Sequence, residues 1–91
     1  MTRYRGYKGN EKVDSNQAGI VKALRQIPGC TVALSHDDIL VGYKLKNYWF
    51  EIKKDAKAEI KLTQKELLAT WTGHYRIVWT LEQILDDLGI S

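Results

Sequence analysis

The run Asp38-Ile39-Leu40-Val41-Gly42-Tyr43 and, after a short polar connection, the run Tyr48-Trp49-Phe50-Glu51-Ile52-Lys53 decide how the rest of the chain is read. Both are short and rich in β-branched and aromatic residues, and turn-tolerant Asn47 lies between them, so they read as an antiparallel hairpin. Side chains alternate along a strand. Glu51 and Lys53 therefore share one face, and Phe50 and Ile52 the other. A connection centred on Leu45 and Lys46 sets Asp38 opposite Lys53 and Leu40 opposite Glu51, with Asp38 diagonal to Glu51. Diagonal neighbours lie roughly 7–8 Å apart at the backbone, a span that two carboxylates can close around one divalent cation. Slipping the register by one residue would turn every side chain of a strand to the other face.

Upstream of the hairpin, residues 1–13 carry Arg3, Arg5, Lys8 and Lys12 with Gly6 and Gly9, and show little apolar periodicity. They read as a basic N-terminal arm. A single folded domain is expected over 14–91. Asp14 or Ser15 can cap a helix in which Gln17, Ile20, Val21, Leu24 and Ile27 share a face, and Pro28-Gly29 stops it. Thr31-Val32-Ala33-Leu34 reads as a first strand, followed by the loop Ser35-His36-Asp37.

Downstream, Lys54-Asp55-Ala56-Lys57-Ala58-Glu59 reads as a flexible connection. Thr63-Gln64-Lys65-Glu66 has the capping-box spacing for a helix that places Gln64, Leu67, Leu68 and Trp71 on one face, and Gly73 ends it. Tyr75-Arg76-Ile77-Val78-Trp79 is a fourth strand. Thr80-Leu81-Glu82-Gln83 offers a second capping box for a last helix closed by Gly89. The predicted class is α/β, in the order α-β-β-β-α-β-α.

Ninety-one residues with 44% hydrophobic content are enough for one small domain with one core, and a dimer would add to it. The formal net charge of +3 is concentrated before Cys30, which suits a polyanionic partner. With one cysteine no intrachain disulfide can form. No apolar stretch approaches the roughly 20 residues of a membrane span, and no signal-peptide pattern follows the basic start, so a cytoplasmic location without membrane contact is expected. Cys30, His36 and His74 lack zinc-ligand spacing. The absence of a Gly-rich phosphate loop argues against a nucleotide cofactor.

Taken together, Asp38 in Asp37-Asp38-Ile39-Leu40-Val41-Gly42-Tyr43, then Glu51-Ile52-Lys53, then Gln64 and Trp71-Thr72-Gly73, resemble the virus-type replication-repair nuclease (VRR-NUC) domain. This is a branch of the PD-(D/E)xK nuclease superfamily, and the likeness is to its small stand-alone phage and bacterial type. It runs from about Asp14 to the C-terminus. The resemblance implies a restriction-endonuclease-like core, a mixed sheet flanked by helices. It implies Mg²⁺ or Mn²⁺ held by Asp38, Glu51 and the backbone carbonyl of Ile52, with Lys53 beside the attacking water and Gln64 and Gln17 facing the site. Two positions depart from the pattern. Gln17 stands where many members carry glutamate, which argues against a second tightly held metal, and Asp37 stands where proline is usual.

The activity so implied is that of a metal-dependent, structure-specific endodeoxyribonuclease acting on branched DNA as a homodimeric Holliday junction resolvase, in a bacterial host cytoplasm if phage-encoded. Two other readings share the sequence: a flap or nonspecific duplex nuclease, and a noncatalytic DNA-binding module. Lys44 and Lys46 in the hairpin, Lys54, Lys57 and Lys61 after it, and Arg3, Arg5 and Lys8 in the arm are candidates to track a DNA backbone. The bland alternatives are a lysine-rich edge that discourages sheet pairing, an ion pair of Lys53 with Asp38, and glutamines that bond to local backbone. Trp71 and Trp79 suit a core or an interface, whereas Trp49 shares the face of Glu51 and could stack on a base.

Overall fold

The computed structural model describes residues 11–35 and 38–90, with side chains from residue 16 onward. Its elements are α1 (Glu11–Arg25), β1 (Cys30–Ser35), β2 (Asp38–Tyr43), β3 (Lys46–Ile52), α2 (Leu62–Thr70), β4 (Tyr75–Val78) and α3 (Leu81–Leu88). This is the expected α-β-β-β-α-β-α order. The four strands form one sheet in the order β1-β2-β3-β4, antiparallel except for the parallel pair β3 and β4.

Alternation along the strands sorts the sheet into two faces. On one, Ile39, Val41, Phe50, Ile52 and Val78 are buried beneath Ile20, Val21 and Leu24 of α1 and Ile84 and Leu88 of α3. Each large side chain so buried contributes about 1.5–3 kcal/mol. Phe50 is the only fully buried aromatic among the described residues; Trp49 is half-buried, and Trp71 and Trp79 are exposed. The tryptophans therefore do not build the core. Cys30 belongs to it, and burial pushes its thiol pKa up.

The hairpin closes one residue earlier than the sequence suggests. Tyr43 pairs with Lys46, so Lys44 and Leu45 alone make the turn, with φ of 53° and 67°. Two left-handed residues in a two-residue loop match the twist of the strands they join. Asn47 is drawn into β3, where it pairs with Gly42. A methyl group on Gly42 would lie 2.8 Å from Thr31 Oγ1, so this position has no room for a side chain unless Thr31 moves.

Helix ends depart from expectation at the start of α1 and at both ends of α2. Helix α1 begins at Glu11, which puts Asp14 and Ser15 inside it rather than at its cap, and it takes in the last residues assigned to the arm. The helix formers Glu11 and Lys12 extend it upstream, against the weak preference of Asp and Ser for a cap. Helix α2 starts after Lys61, whose backbone N–H donates to Gln64 Oε1 at 3.0 Å, so Thr63 is not its cap. It ends at Thr70, before Gly73. Helix α3 follows the sequence: Thr80 caps it together with Gln83, and Gly89 at φ 80° terminates it.

A polar clasp ties β4 to its neighbours. Asp87 of α3 receives Arg76 Nη1 at 2.6 Å and faces His74 Nε2 at 2.8 Å, while His74 Nδ1 accepts the backbone N–H of Trp49 at 3.1 Å. An amide can only donate, so Nδ1 carries no proton here and Nε2–H is the donor to Asp87. The imidazole also packs edge-on against Phe50 and Tyr48.

Left-handed backbone costs a residue other than glycine about 1–2 kcal/mol. Leu45 is fully exposed at the turn, so its side chain recovers none of that by burial. Leu45→Gly is expected to stabilise the protein by about 1 kcal/mol, raising Tm by about 4–8 °C in thermal unfolding.

Candidate functional site

On the face opposite the core, the strand register aligns side chains in two neighbouring rows. Ser35, Asp38, Glu51 and Ile77 stand opposite one another across β1 to β4, and Ala33, Leu40, Trp49 and Tyr75 form the adjacent row. Asp38 is thus directly across from Glu51, not diagonal to it. The turn at Lys44-Leu45 shifts the pairing by two residues, which keeps every side chain on its predicted face and brings the two acids closer. Directly opposed Cβ atoms lie about 4.5–5.5 Å apart, and like charges so placed repel.

Glu51 is 5% exposed. Lys53 Nζ lies 3.9 Å from Glu51 Oε2, and the Lys53 side chain is 11% exposed. The ion pair of Lys53, the residue that follows β3, is therefore with Glu51 two positions earlier rather than with Asp38. The Lys53 backbone is held from two sides: its N–H donates to the Val78 carbonyl at 2.8 Å, and its carbonyl accepts Asn16 Nδ2 at 2.8 Å. Asp38 Oδ2 accepts the Trp49 indole N–H at 2.8 Å. Trp49 is itself wedged edge-on between Trp71 and Tyr75, with ring centroids 5.2 and 4.7 Å away.

Asp38 and Glu51 offer hard oxygens from opposite sides of one strand pair. Mg²⁺ is usually bound through one or two carboxylates while keeping several waters and taking further oxygens from a substrate, and this donor set fits that habit. Among the described residues there is no group of three or more His, Cys, Asp or Glu side chains able to hold a metal. A cation here would rest on two carboxylates, water and a backbone oxygen such as that of Ile52, which lies in β3 between Glu51 and Lys53.

The remaining predicted residues fall into separate groups. Gln64 is buried, but its Oε1 is engaged with the Lys61 amide, which gives it a structural role at the start of α2. Gln17 is half-buried on α1. Lys54, Lys57 and Lys61 are exposed along the segment that follows β3. Lys44 and Lys46 are exposed at the far tip of the hairpin, a strand length of about 20 Å from Asp38. Arg3, Arg5, Lys8, His36 and Asp37 lie outside the described residues.

Three contributors escaped the sequence reading. Asn16 had a detectable signal, since asparagine is a poor helix-interior residue that needs a partner; placing the helix start at Asp14 or Ser15 disguised it as a first-turn residue. The bond from Trp49 to Asp38 and the seat of Trp49 on His74 join residues distant in the chain and left no local trace. Gly73 of the Trp71-Thr72-Gly73 motif also gains an account, because a Cβ there would come 3.0 Å from the Trp71 indole nitrogen. No family model matches the chain, and neither a curated protein nor a solved structure matches it.

Two carboxylates set face to face are better separated by a cation than left alone. Asp38→Asn is expected to raise stability by about 0.5–1 kcal/mol in metal-free buffer, since it removes one of the two like charges. Thermal unfolding with and without Mn²⁺ checks this: the cation should raise the Tm of the wild type and not that of the variant.

Proposed function

We propose that the chain is a Mg²⁺- or Mn²⁺-dependent DNA endonuclease that hydrolyses the backbone of branched DNA, acting as a homodimeric four-way-junction resolvase. The observation that carries this reading is the direct opposition of Asp38 and Glu51 on one sheet face, with the Lys53 ammonium 3.9 Å from Glu51. The resemblance of the same residues to the VRR-NUC pattern supports it.

Phosphodiester hydrolysis needs a stronger nucleophile than neutral water and positive charge where the phosphate oxygens become more negative. Asp38 and Glu51 would hold the divalent cation, which when bound would supply both. The protein's own share is orientation and charge. The Trp49 indole N–H holds one oxygen of Asp38, and the other oxygen would be available to a cation. The two backbone bonds of Lys53 set where its side chain departs from the sheet, and its ammonium stabilises charge on the attacked phosphate. Water attacks phosphorus, the bond to the 3′ oxygen breaks, and the products are a 5′-phosphate and a 3′-hydroxyl.

The exposed lysines after β3 suit a DNA strand led toward this site. Leu62 and Leu68, both exposed on α2, are apolar surface that a second copy would cover, and two sites related by a two-fold axis can cut two strands of a junction.

The test incubates a labelled four-way junction and its matched linear duplex with EDTA, Mg²⁺ or Mn²⁺. Paired symmetric cuts in the junction alone, dependent on metal, are expected. Lys53→Ala and Asp38→Asn should slow cutting by ~10³-fold or more. Cutting at the wild-type rate by both variants would sink the assigned site, and binding without any metal-dependent cutting would favour a noncatalytic module. In Lys54→Ala or Lys57→Ala, the slope of log affinity against log salt should fall in magnitude by about 0.9 for each phosphate no longer neutralised.

A further inference from the structure

The row beside the two acids is apolar and open. Ala33 is exposed, Leu40 is 45% exposed and Trp49 is half-buried, and Trp71, 51% exposed, packs edge-on against Trp49. Leu40, Trp49, Trp71 and Gly73 line a cleft of about 220 Å³, with Asn47 and His74 at its margins. Gly73 helps to shape it, since the Trp71 indole occupies space that a side chain at 73 would contest.

We propose that this cleft receives one unpaired nucleobase of the nucleotide strand whose phosphate lies over Asp38 and Glu51. The inference rests on the nuclease reading above and names its substrate class: DNA with an unstacked base at the cut site, as at a branch point, rather than continuous duplex.

Three features select this occupant. The first is placement. The apolar row lies two residues along the strands from the acidic row, about 7 Å, which is comparable to the reach from a backbone phosphate to the base of its own nucleotide. The second is chemistry. Indole rings and a leucine offer flat apolar contact to a base face, and the exposed Asn47 amide can donate and accept at a base edge. A base inside a duplex has both faces covered by its neighbours, so only an unpaired one can use such walls. The third is size, because the volume suits a single ring system and is below the range of about 300–1,000 Å³ common for larger ligands.

Trp49 links the two rows. It walls the cleft and donates to Asp38, so a base seated there bears on the residue that orients a carboxylate.

The test measures binding in EDTA, so that no cutting intervenes, by fluorescence anisotropy at fixed salt. The probes are a duplex with one unpaired adenine and the same duplex with an abasic site in its place. Wild type is expected to favour the unpaired base by about 5- to 150-fold, the factor that stacking of one base contributes. Trp71→Ala, at an exposed position that spares the core, should bring the ratio close to one while leaving the abasic affinity unchanged. Leu40→Glu should also bring the ratio close to one by placing a carboxylate in the cleft, with a weaker affinity for both probes because the added charge repels phosphate, and circular dichroism confirms that both variants fold. Equal wild-type affinities for the two probes would overturn the proposal, as would loss of affinity for both probes alike in Trp71→Ala. A self-association seen by sedimentation and broken by Leu40→Glu, without base discrimination, would assign the row to a second copy instead. Base discrimination without metal-dependent cutting would leave the cleft standing and remove the nuclease, and cutting without discrimination would do the reverse.

Discussion

The two-residue turn at Lys44-Leu45 is the constraint on which the arrangement of the site depends. It pairs Tyr43 with Lys46, and every later pairing of β2 with β3 follows from that contact. Side chains repeat every two residues along a strand, so a loop longer or shorter by one residue would bring Glu51 to the core and Phe50 to solvent. The fold accepts two left-handed residues without glycine in return for this register. Burial of Phe50, Ile39 and Val41 on one face and the opposition of Asp38 and Glu51 on the other are thus consequences of the same few backbone angles.

The two faces of the sheet serve different ends. One is covered by α1 and α3 and supplies the apolar burial that holds the described fold together. The other carries a buried glutamate, a mostly buried lysine and a half-buried aspartate, groups that weaken a small fold unless they are paired and hydrogen-bonded. The protein limits that cost with local anchors. Trp49 donates to Asp38, Asn16 of α1 reaches the Lys53 carbonyl, and His74 takes up the Trp49 amide. The His74–Asp87–Arg76 clasp lies on the core face and Asp38 on the other, so the peptide of Trp49 connects the two sides of the sheet.

Much of this was legible in the sequence where short-range periodicity governs. The alternation of Phe50 and Ile52 against Glu51 and Lys53, the helical stripe of Ile20, Val21 and Leu24, and the Thr80–Gln83 cap with Gly89 all stand as read. The turn was misplaced because Lys44 and Leu45 carry none of the usual turn chemistry while nearby Asn47 does, and strand twist outweighed residue preference. The helical stripes place both glutamines on inward faces; Gln64 is buried, yet its carbonyl serves the start of its own helix, a use visible only once Lys61 rather than Thr63 is known to be the cap. Asn16 signals a side chain in need of a partner, but which groups Asn16 and Trp49 reach has no local signal, since they meet Lys53 and Asp38 across helix and strand.

The parallel pairing of β3 with β4 bears on the order of assembly. Strands β1, β2 and β3 form a meander whose neighbours are joined by short loops, so their pairing closes small stretches of chain at low entropic cost. Strand β4 must return across α2 before it can pair with β3, and such nonlocal contacts form slowly. The Val78 carbonyl that holds the Lys53 amide arrives with that strand. The two carboxylates can therefore stand opposite each other in a half-built sheet, whereas the lysine acquires its fixed position only when the last strand docks. Assembly of the complete charge constellation thus coincides with closure of the fold.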